Sequence, residues 1–286
     1  MRIGLITPEP GHPLLAGATA LLSPRHRVEA LDPGTATELP GPPADVYLLK
    51  SRTPRALALA REAEALGAPV INSAAATALC QDRTAMAELA RGAGLPFAAT
   101  RAHASLAALA AGPPLPGPVV VKSRHSRRGD LVARVDDGAR LSALARQWAG
   151  EPVVVQEFAP NSGWDHKLWA IGDRVFAALR RSELSPGGRG PTVPLALDDL
   201  PPGWADLVRA VGEVFALDVY GVDIIAAGAD GGGDGDGDGE RAGTGGEPLI
   251  VDINAFPGIR GQAGAPEALA ALALHRAQAL GRTSPR

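Results

Sequence analysis

The chain has 286 residues, a formal net charge of −3 and a single cysteine, Cys80. That length accommodates two or three lobes with cores of their own, and the slight negative charge argues against a nucleic-acid or membrane partner. One cysteine excludes an internal disulfide and points to a reducing, cytoplasmic setting. Within Ala-Thr-Ala-Leu-Cys, a small-residue helical stretch, it reads as a core thiol. The opening Met-Arg-Ile-Gly-Leu-Ile-Thr-Pro reads as a short strand rather than a signal peptide. No apolar run approaches the length of a membrane span.

Residues 1–72 alternate strand and helix: strands over 2–7, 27–31, 45–50 and 69–72, helices over 12–22 and 55–66. Such alternation implies a parallel sheet with helices on its faces. No G-x-G-x-x-G follows the first strand, so a dinucleotide site is not expected there. Residues 73–111 read as mostly helical, with Asp82 the N-cap of a helix ending at Gly92. The Pro/Gly-rich stretch 112–118 marks a boundary.

Val119-Val120-Val121-Lys122 is an apolar strand closing on a lysine. A basic loop, Ser-Arg-His-Ser-Arg-Arg-Gly, leads into a strand over 131–135 and a helix over 139–148. A second apolar strand ends in Gln156-Glu157-Phe158. Two apolar strands that each end in ligand-capable residues imply a cleft at their ends. From Trp164 the pattern turns antiparallel. A strand over 165–171, a Gly172-Asp173 hairpin turn and a strand over 174–181 precede a flexible loop carrying Arg189. A helix over 203–216 and a closing helix over 264–280 frame the last part.

Two further strands stand out. Tyr220–Ala227 is an apolar run holding Asp223, and Leu249–Ile253 is another holding Asp252, with Asn254 two residues on. A strand's period of two puts Asp252 and Asn254 on one face and Val251 and Ile253 on the other, toward a core. A buried carboxylate needs a cation or donors. If the two runs are antiparallel neighbours, Asp223 joins Asp252 and Asn254 as a set of oxygen ligands suited to Mg²⁺. The alternative is that Asp252 and Asn254 only cap the Pro257-Gly258 turn. The Gly/Asp-rich stretch 228–246 between the runs reads as a flexible extension. Its Asp234-Gly-Asp-Gly-Asp-Gly lacks the bidentate Glu of a calcium loop, having Gly245 at that place.

In order, Asp82-Arg83, Lys122, Gln156-Glu157-Phe158, Asp165-x-Lys167, Gly172-Asp173, Arg180-Arg181, Gly221-Val222-Asp223 and Asp252-Ile253-Asn254-x-x-Pro257-Gly258 resemble the motifs of the ATP-grasp enzymes, in particular the RimK-type carboxylate–amine ligases. The resemblance covers the whole chain. It implies an α/β (α+β) ATP-grasp fold preceded by a parallel-sheet N-terminal lobe: residues 1–76, then a small lobe over 77–155 and a C-terminal lobe over 156–286. It also implies roles. Lys122 and Arg83 would contact phosphates, with Arg83 standing where a lysine is usual. Gln156, Glu157 and Phe158 would form the adenine hinge, and Asp165, next to Lys167, would bind ribose. Asp223, Asp252 and Asn254 would hold two Mg²⁺ ions, or Mn²⁺. Arg181, with Arg180 beside it, would neutralise the transferring phosphoryl group, and Arg189 would reach nucleotide or acyl phosphate.

Two departures from the family pattern concern the loop after Lys122, normally glycine-rich, and Asp252, commonly Glu. The implied activity is an ATP- and Mg²⁺-dependent ligase that joins a carboxylate to an amine through an acyl phosphate. The substrate is a small molecule or peptide, with an amino acid as one candidate, and RimK-like enzymes often associate as homo-oligomers. An alternative is a small-molecule kinase of the inositol polyphosphate type. It is suggested by Arg83, the Asp252–Gly258 motif and a basic loop (Arg124, His125, Arg127, Arg128) suited to a phosphorylated substrate.

Overall fold

The computed structural model describes residues 1–185, 187–228 and 246–281. The N-terminal lobe is a four-stranded parallel sheet of β1 (Arg2–Ile6), β2 (Arg27–Leu31), β3 (Val46–Leu49) and β4 (Val70–Ile71), in the order β2-β1-β3-β4. Every residue of β3 is buried, as expected where helices cover both faces of a parallel sheet. Those helices are α1 (Pro13–Leu22) and α2 (Pro54–Ala65), each opened by a proline and an N-cap side chain, His12 and Thr53 respectively. Two short helices follow, α3 (Ala74–Leu79) capped by Ser73 and α4 (Arg83–Gly92) capped by Asp82.

The second sheet is antiparallel, in the order β5-β8-β6-β7, from β5 (Thr100–His103), β6 (Val119–Ser123), β7 (Val132–Val135) and β8 (Val153–Glu157). Strand β5 corrects the expectation of helix through residue 111. It is a half-exposed edge strand without apolar alternation, so it lacks the period that marks strands in a sequence. Val119, Val121, Val153 and Val155 face α5 (Leu106–Ala110) and α6 (Gly138–Trp148). The register therefore turns Val120, Lys122, Val154 and Gln156 to the opposite face.

The third sheet, β11-β10-β9-β12-β13, is antiparallel throughout. Its strands are β9 (Trp164–Ile171), β10 (Arg174–Arg181), β11 (Thr192–Leu195), β12 (Val219–Ala227) and β13 (Glu247–Ala255). Gly172 and Asp173 make the expected tight turn, Gly172 at φ 54°. Strand β11 was not expected; it is exposed and contains Pro194, a combination confined to sheet edges. The expected neighbours β12 and β13 are paired from Tyr220↔Ala255 to Ala227↔Glu247. Most of the Gly/Asp-rich stretch between them, residues 229–245, lies outside the described residues.

A bulge interrupts this hairpin. Asp223 pairs with Asp252 but Ile224 pairs with Ile250, leaving Val251 as the extra residue. Ile250 and Ile253 are therefore fully buried while Val251 is only partly so, which corrects the expectation that Val251 enters the core. One face of the sheet packs its apolar residues on α7 (Trp204–Phe215) and α4. Gly212 in α7 leaves space for the Tyr220 ring, whose hydroxyl donates to Val208 O at 2.8 Å.

Two features join the lobes. The closing helix α8 (Ala265–Gly281) packs with α1, β3 and the Phe176 end of the third sheet in one apolar cluster. Asn72, 0% exposed at the end of β4, donates to Val219 O (2.6 Å) and accepts from the amides of Asp218 (2.7 Å) and Val219 (2.9 Å).

Candidate active site

Adjacent strands of the third sheet bring side chains from distant parts of the sequence onto one face. Directly opposite residues in antiparallel strands project to the same side. The pairs Arg180↔Asp165, Lys167↔Asp223 and Asp223↔Asp252, with Asn254 opposite Gly221, thus place Arg180, Asp165, Lys167, Asp223, Asp252 and Asn254 together. The register assigns Arg180, not Arg181, to this face. Arg181 instead lies over the Trp164 ring, 5.0 Å from its centroid.

The charges on this face are strongly coupled. Lys167 Nζ, buried, pairs with Asp165 at 3.1 Å and Asp223 at 2.8 Å. Arg83, from the first turn of α4, donates to Asp252 at 3.1 Å, Asp130 at 2.6 Å and Ser123 O at 2.8 Å. Lys122 comes from the second sheet and donates to Val251 O at 2.8 Å, so the bulge supplies its acceptor. Burial would raise the Asp252 pKa, but Arg83 and Lys122 overcome it and hold the carboxyl below the usual range. Burial pushes Lys122 down to about 8, against the pull of Asp252. Lys122 and Arg83, expected at phosphates, and Lys167, expected beside the ribose-binding Asp165, thus gather around the two carboxylates expected near metal.

The cleft has a second wall. Pro96 O and the Ala98 amide bond to Ile250 on β13 at 2.8 and 2.9 Å, tying the lead-in to β5 onto the third sheet. Across from the charged face stand Val120 and Val154, both buried and outside the core beneath their own sheet. Sequence reading passed over them because a valine in an apolar run looks the same on either face.

Several predicted residues are already engaged. Gln156 donates to Thr100 Oγ1 at 3.0 Å, tying β8 to β5. The Phe158 amide donates to Pro118 O (3.1 Å), and the Arg134 guanidinium lies 4.0 Å from its ring centroid. Glu157 is exposed at the strand end. Arg189 pairs with Glu183 (2.8 Å) on an exposed loop and does not join the charged face. The basic loop is not an open anion receptor. Arg124 holds Asp82 through two nitrogens, the shortest contact 2.7 Å, and Arg127 holds Glu151 at 2.7 and 2.8 Å. Cys80 is buried as expected, and burial pushes its thiol up to about 12.

The donor set fits Mg²⁺ in kind. Asp223, Asp252 and Asn254 offer hard oxygens on neighbouring strands, and the Asp side chains keep 22% and 15% exposure. Among the described residues no group of three or more His, Cys, Asp or Glu is placed to hold a metal. The third donor here is an amide, and water and phosphate would complete the shell.

Behind this face, His166 packs edge-on against Trp204 with centroids 4.7 Å apart, and burial lowers its pKa from 6.5 to about 4. The unfolded chain binds this proton near pH 6.5 and the folded chain does not until about pH 4, so stability falls as pH drops through that window. The full loss is about 3 kcal/mol. In urea titrations, His166→Asn is expected to flatten the decline in stability between these pH values. An unchanged slope would assign it elsewhere.

No protein-family profile matches the sequence. A probable α-L-glutamate ligase of Rhodopirellula baltica (strain DSM 10527 / NCIMB 13988 / SH1) is 28% identical over 155 residues, which are 50% of this chain and 33% of that relative. The chain thus aligns with about a third of the relative's length. Solved structures match over nearly the whole chain. A RimK domain ATP-grasp protein from Sphaerobacter thermophilus DSM 20745 superposes with a TM-score of 0.72 at 21% identity, covering 96% of this chain and 100% of its own. D-alanine–D-alanine ligase from Bacillus anthracis, complexed with ATP, gives 0.67 at 14% identity and 99% coverage of both. The ATP-grasp ligase PsnB, complexed with minimal precursor, Mg and ADP, gives 0.63 at 16%, covering 96% and 97%. From its N-terminal parallel sheet to its closing helix, this chain has the ATP-grasp fold, in the arrangement found in a RimK domain protein.

Proposed function

We propose that the protein is an ATP- and Mg²⁺-dependent ligase that joins a carboxylate to an amine. The observation that carries this reading is the gathering of three cations from two sheets and a helix: Lys167 pairs with Asp223, Arg83 pairs with Asp252, and Lys122 bonds to the neighbouring Val251 carbonyl. Phosphoryl transfer needs positioning and charge neutralisation more than a protein nucleophile. Two Mg²⁺ ions, or Mn²⁺, supply charge neutralisation between nucleotide phosphates when bound. Lys122 and Arg83 hold phosphate oxygens, Asp165 the ribose, the Glu157–Phe158 segment the adenine against Val120 and Val154, and Arg180 the charge on the transferring group. The substrate carboxylate attacks the γ-phosphorus and ADP leaves. The amine nitrogen then attacks the acyl carbon, phosphate leaves, and the nitrogen loses its proton. Support also comes from the glutamate ligase relative and from neighbours bound to ATP, to Mg and ADP, and to a precursor peptide. The acid, the amine and the oligomeric state belong to this proposal.

One of the three supports for the kinase alternative weakens, because Arg124 and Arg127 of the basic loop hold protein carboxylates. Phosphorus NMR of the protein with ATP, Mg²⁺ and separate pools of amino acids, short peptides and inositol phosphates decides between the two. Orthophosphate appearing only with a carboxylate–amine pool is the expected result. A new phosphate ester without orthophosphate would replace the ligase by a kinase.

A further inference from the structure

Of the three oxygen donors in the candidate metal set, two are held in place by cations. Asp223 pairs with Lys167 at 2.8 Å and Asp252 with Arg83 at 3.1 Å. Asn254 is held differently. Its side chain makes no hydrogen bond among the described residues, and its backbone places it, opposite Gly221.

That backbone leads straight into a turn. Strand β13 ends at Ala255, and Phe256 follows with φ 44°, a left-handed conformation that a bulky residue adopts only where its surroundings compel it. Three contacts do so. The Phe256 amide donates to Val219 O at 2.8 Å. Pro257 folds back over Gly221, where a Cβ would come within 3.2 Å of its Cγ and 2.9 Å of Trp169 Cδ1. The third contact comes from the N-terminal lobe. Lys50, the residue after β3, is anchored through its amide to Ile6 O at 3.0 Å, and its Nζ donates to Phe256 O at 3.2 Å and Pro257 O at 3.4 Å. The same ammonium lies 5.6 Å from the centroid of the Phe256 ring.

Lys50 is half-buried, and among the described residues its side chain bonds to these two carbonyls and to no carboxylate. Such charge-assisted bonds are stronger than neutral ones, the more so away from bulk water. The lobes are already joined by α8 and by Asn72, so a tie between lobes does not by itself require this lysine. What its ammonium does is hold two successive carbonyls of a strained turn, beginning two residues after the one metal-set donor that no side chain holds.

We propose that Lys50 is a positioning residue for the ligase reaction: by holding the Phe256 and Pro257 carbonyls it fixes the turn that sets the position of Asn254 as a metal ligand. This rests on the ligase reading and on Asn254 as a ligand, and the role assigned to Lys50 acts through the turn alone. The N-terminal lobe thereby tunes the metal site without placing a side chain on the charged face.

Manganese titrations of the full chain with saturating ADP, followed by electron paramagnetic resonance, test this. Lys50→Met keeps the stem and removes the donors. It is expected to weaken Mn²⁺ binding about tenfold or more, as removal of a group that orients a metal ligand does, while ADP affinity measured without metal stays unchanged. Lys50→Arg, which still donates to carbonyls, should recover most of the loss. Asn254→Ala should weaken Mn²⁺ binding by itself, and adding Lys50→Met to it should cause little further loss, because both changes act on one ligand. Equal losses of Mn²⁺ affinity and metal-free ADP affinity in Lys50→Met would make Lys50 a structural tie and overturn the proposal. Unchanged Mn²⁺ binding in Lys50→Met beside weakened binding in Asn254→Ala would overturn it and leave the metal site standing. Unchanged binding in Asn254→Ala would overturn the metal assignment of Asn254 and the proposal with it. Should Lys50→Met fail to fold, Lys50→Gln, which keeps a donor without the charge, serves for the same comparison.

Discussion

Replacing Asp252 with asparagine is expected to lower turnover at least about a thousandfold, measured as ADP release in the presence of both substrates. The substitution keeps shape and removes charge. Asp252 is one of the two carboxylates in the candidate metal set, and Mg²⁺ relies on few protein carboxylates, so neither is redundant. The same carboxylate faces Arg83 at 3.1 Å and helps Lys122 remain charged in a buried position. Arg83 keeps Asp130 at 2.6 Å, so the protein should still fold, but with a loss of about 2 kcal/mol in denaturant unfolding. Asp252→Glu keeps the charge and should retain more activity than Asp252→Asn. Turnover within tenfold of the unmodified protein in Asp252→Asn would remove the carboxylate from the metal site.

Asn72→Ala is expected to destabilise the whole chain by about 3 kcal/mol without touching the candidate active site. Its amide makes three hydrogen bonds, all to the residues that open β12. Alanine would leave the buried Val219 amide and the half-buried Asp218 amide without that acceptor, and a missing partner costs the desolvation of each group. Because those bonds join the N-terminal sheet to the third sheet, the variant should also unfold in less cooperative transitions by urea titration. A midpoint shift equivalent to under about 0.5 kcal/mol, typical of surface sites, would show that these bonds do little to hold the lobes together.

Much of this was legible in the sequence. Strands β1, β3, β6, β8, β12 and β13 announce themselves as apolar runs, and Asp82 caps α4 as read. The pairing of β12 with β13 followed from two runs joined by a Gly/Asp-rich stretch. What stayed hidden has identifiable causes. Strands β5 and β11 are exposed at sheet edges, where no period constrains the residues. The choice between Arg180 and Arg181 depends on register, which neighbouring residues cannot supply. The links from Arg83 to Asp130 and Asp252 span 47 and 169 residues of sequence, and no local pattern reports them. Lys50 closes the apolar run Val-Tyr-Leu-Leu-Lys just as Lys122 closes Val-Val-Val-Lys, but only Lys122 lies in a motif of the resemblance.

The bulge on β13 has its own consequence for how the protein tolerates change. With Val251 left out, Ile250, Asp252, Ile253 and Asn254 would alternate without a break, so the strand needs no residue there to sort its faces. Val251 contributes an oxygen, and its isopropyl group is outside the core. In a saturation scan this position should therefore accept most side chains, proline excepted, yet reject deletion. The fold needs a residue at this place but leaves its identity nearly free, whereas at Asp252 beside it the identity matters as well.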